Sequence, residues 1–125
     1  LNLAPPVALT QKDVRELQLA KGAIAAGFRI LLQRWGAQAE DLSRVWLAGA
    51  FGNYVSRESA RRIGLFDTPL ERVSSAGNAA LLGAKLALFD DDLDQRELRS
   101  RVVHVPLASE AGFADAFAEA MAFPA

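Results

Sequence analysis

Val45-Trp-Leu-Ala-Gly-Ala-Phe-Gly-Asn-Tyr54 decides how this chain is read. A short apolar run, the length of a buried strand, ends abruptly in a Gly49-x-x-Gly52-Asn53 loop, and a polar, helix-like segment follows at once from Ser56. Strand, glycine turn, helix is how α/β proteins bring backbone close to a bound nucleotide. The pattern alone is not decisive, because an ordinary tight turn leaving a core strand reads the same way. Gly49 and Gly52 are too few and too widely spaced for a GxGxxG fingerprint, and the chain contains no GxxxxGK[ST] phosphate loop. The weight therefore falls on what surrounds the loop.

Upstream, residues 1–9 carry Pro5 and Pro6 and read as an extended lead-in; residues 10–125 form the domain proper. Thr10 is an N-cap residue with Asp13 at the capping-box distance, and the helix it opens runs from Gln11 to Trp35 and stops at Gly36. Val14, Leu17, Ile24, Phe28, Leu31 and Trp35 recur at steps of three and four, predicting one apolar stripe. Lys21 interrupts that stripe. Its ammonium either snorkels to the helix edge or points into a polar cleft. Ala20, Ala23 and Gly27 make a small-residue face suited to close approach by a neighbour.

Downstream, Ser56 caps a short helix carrying Arg57, Glu58, Arg61 and Arg62, and Gly64 ends it. Residues 72–75 predict a second short strand, and Gly77-Asn78 opens a helix rich in alanine and leucine, with Gly83 in its interior. Glycine there lowers helix stability by about 1 kcal/mol, which suggests close packing of backbone or ligand, or tight helix-on-sheet contact. The acidic run at 90–94 suits the start of a helix reaching Arg101. It lacks the glycine and closing glutamate of a calcium loop. Residues 102–105 predict a third strand with His104 as a structural histidine, and Ser109 is the expected cap of a last helix presenting Phe113, Phe117 and Met121. Strands alternating with helices give an α/β layer arrangement with a small mixed sheet.

Composition narrows the function. Half the residues are apolar, which suffices for a core in a chain of 125 residues. A net charge of −1 offers no electrostatic case for nucleic acid or an anionic membrane surface. The chain has no cysteine and one histidine, so disulfides, thiolate-held metals and histidine clusters are excluded from it. No apolar run approaches the roughly 18 residues of a membrane span, and no secretory leader is recognisable, so a cytoplasmic location is expected. The chain begins with Leu1 and reads as a piece of a longer protein. His104 has no Ser/Asp partnership suggestive of a triad.

Four segments together resemble a known family: residues 10–24 (TQKDVRELQLAKGAI), 47–54 (LAGAFGNY), 62–65 (RIGL) and 77–80 (GNAA). They are similar to the C-terminal region of the reductive activators of corrinoid proteins, ferredoxin-containing members of the superfamily of acetate and sugar kinases, heat-shock chaperones and actin. The similarity runs from about Thr10 to Phe123. It implies a ribonuclease-H-like, actin-type ATPase lobe. Such proteins use ATP with Mg2+ to drive reduction of cob(II)alamin to cob(I) in a corrinoid methyl carrier, and carry a [2Fe-2S] cluster in an N-terminal domain. The superfamily's Asp-x-Gly phosphate turns and the cluster cysteines are missing here. The resemblance thus implies that this piece alone neither hydrolyses ATP nor takes up an electron.

Within the resemblance, Gly49, Ala50, Phe51, Gly52 and Asn53 are the expected adenosine-facing loop. A purine needs a flat apolar contact and backbone donors, and bulkier residues would hold the backbone away. Phe51 is either a wall for the base or a core anchor, and Asn53 either bonds ligand or caps the turn. Gln18-Leu-Ala-Lys21 resembles the chaperone helix whose polar side chains contact ribose and adenine edge, with Gln18 and Lys21 three residues apart on one helix surface. Residues 77–88 resemble the small-residue helix that crosses between lobes. Arg61 and Arg62 read as a solvated helix end or as contacts for an acidic patch on a partner. The expected partner is a corrinoid protein, with self-association left open. Two other readings remain: a lobe of a metabolite kinase, and a non-catalytic dimerisation or docking module.

Overall fold

The computed structural model describes residues 2–4, 6–49, 54–89 and 95–124. The lead-in forms a small antiparallel pair, β1 (Asn2–Ala4) and β2 (Val7–Ala8). Helix α1 (Gln11–Trp35) follows with the predicted bounds. Thr10 and Asp13 cap each other reciprocally: the Asp13 amide donates to Thr10 Oγ1 at 3.3 Å, and the Thr10 amide donates to Asp13 Oδ2 at 2.8 Å. Gly36, at φ 74°, closes the helix in the left-handed conformation with its N–H on the Leu32 and Gln33 carbonyls.

The capping box makes a testable contribution. Thr10→Ala is expected to destabilise the fold by about 1 kcal/mol in a denaturant titration. The Thr10 hydroxyl and then its backbone N–H hold the Asp13 carboxyl below its ordinary value of 3.8. A depressed carboxylate stabilises the folded state above its ordinary pKa, and that contribution fades as pH falls through the lowered value. The acid limb of wild-type stability should therefore be shallower in the alanine variant.

The other elements are β3 (Val45–Ala48), α2 (Arg57–Arg62), β4 (Val73–Gly77), α3 (Ala79–Phe89), α4 (Arg96–Arg101) and α5 (Phe113–Met121). Strands β3 and β4 pair in parallel, from Val45 opposite Val73 to Ala48 opposite Gly77, with an irregularity after Leu47. Ala60, Phe66 and Val73 form a buried cluster beneath this unit, with Val45, Leu47, Leu65 and Leu70 packed against it. Two arginines hold its connections. Arg57 donates to the Val73 carbonyl at 2.6 Å, and Arg72 donates to the carbonyls of Glu40 (2.7 Å) and Leu42 (3.0 Å).

A second packed unit joins α1 to α5. Gly22, Ala26, Gly27 and Ile30 of α1 are buried, as are Ala116 and Ala120 of α5. Arg29–Glu119 at 2.9 Å and Arg34–Glu110 at 2.8 Å flank the seam. The buried face is thus not the predicted apolar stripe. Leu17, Ile24 and Leu31 are exposed and Trp35 is 74% exposed, while Val14 and Phe28 are partly covered. Close helix approach needs small residues at the crossing, so α5 settles over Gly22, which meets Met121 and Phe117, while Leu107 seats over Gly27. Of the three small residues predicted to face a neighbour, Gly27 does so, and Ala20 and Ala23 face solvent.

Three further expectations are corrected. Residues 102–105 pair with no strand among the described residues and form irregular chain with His104 exposed, since strand composition alone does not supply a hydrogen-bonding edge. Ser109 ends a 3-10 turn (Leu107–Ser109), and the N-cap of α5 is Gly112 at φ 82°, without a side-chain cap. Among the described residues the strands form two separate pairs, so 102–105 add no third strand to β3 and β4. The acidic run at 90–94 lies outside the described residues.

Candidate functional site

The two parallel strands end side by side in glycine turns. Gly49 has φ 107° and Gly77 has φ 64°, and the Gly49 N–H donates to the Gly77 carbonyl at 2.8 Å. Positive φ disfavours any residue with a Cβ, so glycine is required by the bend. A Cβ built on Gly49 would meet nothing within 4 Å among the described residues, so space is open there beside the backbone. Asn78 follows directly and caps α3, its Oδ1 accepting from the Leu81 N–H at 3.0 Å. The carboxyl ends of parallel strands are where open α/β sheets place ligands. The remainder of the predicted loop, Ala50, Phe51, Gly52 and Asn53, lies outside the described residues.

Lys21 belongs to a different wall. It is 2% exposed, and its ammonium donates to the Ala122 carbonyl and sits 5.2 Å from the centre of the Phe123 ring. Of the two orientations open from the sequence, the ammonium takes the cleft. Burial pushes the Lys21 pKa below its ordinary 10.5, since desolvation disfavours the charged form. The side chain lines a cavity of about 1190 Å³ shared with Phe28 and Arg29 of α1, Arg61 and Arg62 of α2, and Phe66. Glu58, Asp67 and Glu119 supply negative charge on the same lining. Gln18 is partly exposed and lies outside this lining, as does Gly49.

The structure therefore brings Gly49 together with Gly77 and Asn78, and Lys21 together with α2 and the chain beyond α5. Glu58, Arg61 and Arg62 of α2 line the Lys21 cavity. The contribution of Ala122, Phe123 and Pro124 was not read from the sequence. A lysine inside an apolar register requires a carbonyl or ring partner, which was the available signal, but its position 101 residues away could not be inferred. Among the described residues, no group of three His, Cys, Asp or Glu side chains could hold a metal ion. With no cysteine, the chain also offers no thiolate to an iron–sulfur cluster.

A parallel strand pair ending in glycine turns, packed with helices, fits the actin-type lobe expected from the sequence, and comparison with known proteins agrees. The family model described as the C-terminal domain of RACo, the ASKHA domain, matches residues 2–125. The chain belongs to that family. It is 36% identical over 115 residues to the corrinoid activation enzyme RamQ of Eubacterium limosum, covering 89% of this chain and 19% of the relative. It is 38% identical over 95 residues to the [Co(II) methylated amine-specific corrinoid protein] reductase of Methanosarcina barkeri, covering 75% and 18%. A solved structure of a reductive activator for corrinoid, iron-sulfur protein superposes with a TM-score of 0.84 at 33% identity, over 93% of this chain and 19% of that one. The chain thus spans about a fifth of the length of the curated relatives it matches.

Proposed function

We propose that this chain is the adenosine-side lobe of an ATP-dependent reductive activator that returns cob(II)alamin of a corrinoid methyl carrier to cob(I). The observation that carries the reading is the paired glycine turn at Gly49 and Gly77, open on its outer side, at the ends of two parallel strands. Backbone at Gly49 and the following loop, Ala50 to Asn53, would lie against the purine. Lys21 would donate to ribose or adenine edge from α1, with Gln18 beside it. Magnesium and the phosphates would be held by the Asp-x-Gly turns of other parts of the longer protein, and the iron–sulfur cluster by its cysteines, of which this chain has none. The names of the relatives favour an activator over a metabolite kinase. The corrinoid protein is the partner this reading requires.

Gly49→Val in the intact protein tests it. The valine must take up a strained left-handed backbone and fill the open space, so ATP affinity should fall about threefold to tenfold. ATP-dependent reduction of a cob(II)alamin-loaded corrinoid protein, followed by absorbance, should slow in parallel. Unchanged affinity and rate in a folded variant would remove Gly49 from the site.

A further inference from the structure

The polypeptide just beyond α5 does more than finish a helix. Helix α5 ends at Met121, and Ala122 turns to extended backbone at ψ 142°. The chain then crosses to α1 and to the turn after α2. There the Ala122 carbonyl accepts from the Lys21 ammonium, the Phe123 ring lies over it, and Pro124 packs on Gly64. The last contact is close: a Cβ on Gly64 would lie 3.0 Å from both Cγ and Cδ of Pro124 and 3.4 Å from Lys21 Nζ. Gly64 also sits at φ 78°, so both its backbone and its bare surface suit this seat. Ala122, Phe123 and Pro124 line the same cavity as Lys21, Arg61 and Arg62.

We propose that residues 122–124 are a displaceable strap, which occupies the ammonium of Lys21 until nucleotide takes its place. The inference rests on the lobe reading above and adds a regulatory element to the same site. Two features make the strap displaceable. Its three residues all stay partly open to solvent, Phe123 at 40%, so the segment is not sealed into the core. The partners it offers are a neutral carbonyl and a ring face, which leave the charge on Lys21 uncancelled. The described ion pairs are Arg29–Glu119 and Arg34–Glu110, and neither includes Lys21. An entering ligand oxygen can therefore replace the Ala122 carbonyl without breaking a salt bridge. In the closed arrangement Lys21 is committed to the strap, and apparent affinity is reduced by the fraction of molecules so closed.

The test uses the intact protein and a non-hydrolysable ATP analogue. The double variant Phe123→Ala/Pro124→Ala should bind the analogue about threefold to tenfold more tightly than wild type. Adding Lys21→Ala to it should abolish the gain. In the wild-type protein, amide hydrogen exchange over residues 117–124 should accelerate when the analogue is added, a readout that needs no variant to fold. Equal or weaker binding by the double variant, or unchanged exchange, would overturn the strap. If Lys21→Ala alone weakens binding while the strap variants do not tighten it, the lobe reading survives and the strap does not. If Lys21→Ala leaves affinity unchanged, the placement of Lys21 at the nucleotide fails first.

Discussion

Lys21→Ala is expected to weaken ATP binding by the intact protein roughly tenfold to a hundredfold, the range of a lost hydrogen bond from a charged donor. Equilibrium titration with a fluorescent analogue measures it. A lysine that is 2% exposed and paired with a carbonyl and a ring keeps a charge that water would stabilise better. Such a group persists where a ligand gives it a use. Stability should therefore not suffer in proportion to binding, and a large loss of affinity with a nearly unchanged melting curve is the expected signature. A collapse of both would instead mark Lys21 as a structural member of the cavity wall.

The pH dependence of the two properties should run in opposite directions. Because burial lowers the Lys21 pKa, the folded chain releases this proton at a lower pH than the unfolded chain, which holds it to about its ordinary 10.5. Between those two values the unfolded state binds more protons, so this residue's contribution to stability rises with pH. ATP binding needs the ammonium and should decline over the same alkaline interval. Lys21→Ala should remove both slopes together.

Gly22→Leu should produce the largest loss of stability, about 2–3 kcal/mol of overpacking. A Cβ at this position already lies 3.0 Å from Met121 Cγ and 3.4 Å from both the Met121 amide nitrogen and Phe117 Cε2. Met121 can swing away from a single methyl group, but a leucine must also displace the helix backbone and the ring. The seam brings α5 close to α1 at Gly22, and the Met121 backbone there cannot be shortened in compensation. Denaturant unfolding should show a lower midpoint, and the displaced α5 should carry residues 122–124 away from Lys21. Gly22→Ala serves as the control, since one methyl group asks only Met121 to move.

The sequence by itself determined the local architecture. Thr10, Asp13 and Gly36 fixed both ends of α1, and Ser56 began α2, with Gly64 just beyond its end. Gly49 and Gly77 marked the ends of the two parallel strands. Caps and positive-φ glycines act within a few residues, so their signal is complete in a short stretch of chain. The resemblance carried by residues 10–24 and 47–54 pointed to the family on the same local grounds.

Tertiary structure decided what those elements touch. Periodicity showed an apolar stripe on α1 but could not say which face α5 would choose, and the choice fell on glycine and alanine because only they let two helix backbones approach. Residues 102–105 had the composition of a strand, yet a strand exists only where another offers its hydrogen-bonding edge. Lys21 was visible as an interruption, whereas its partners at Ala122 and Phe123 lie about a hundred residues along the chain. Contacts between distant segments depend on how packed units meet, which no short stretch of sequence contains.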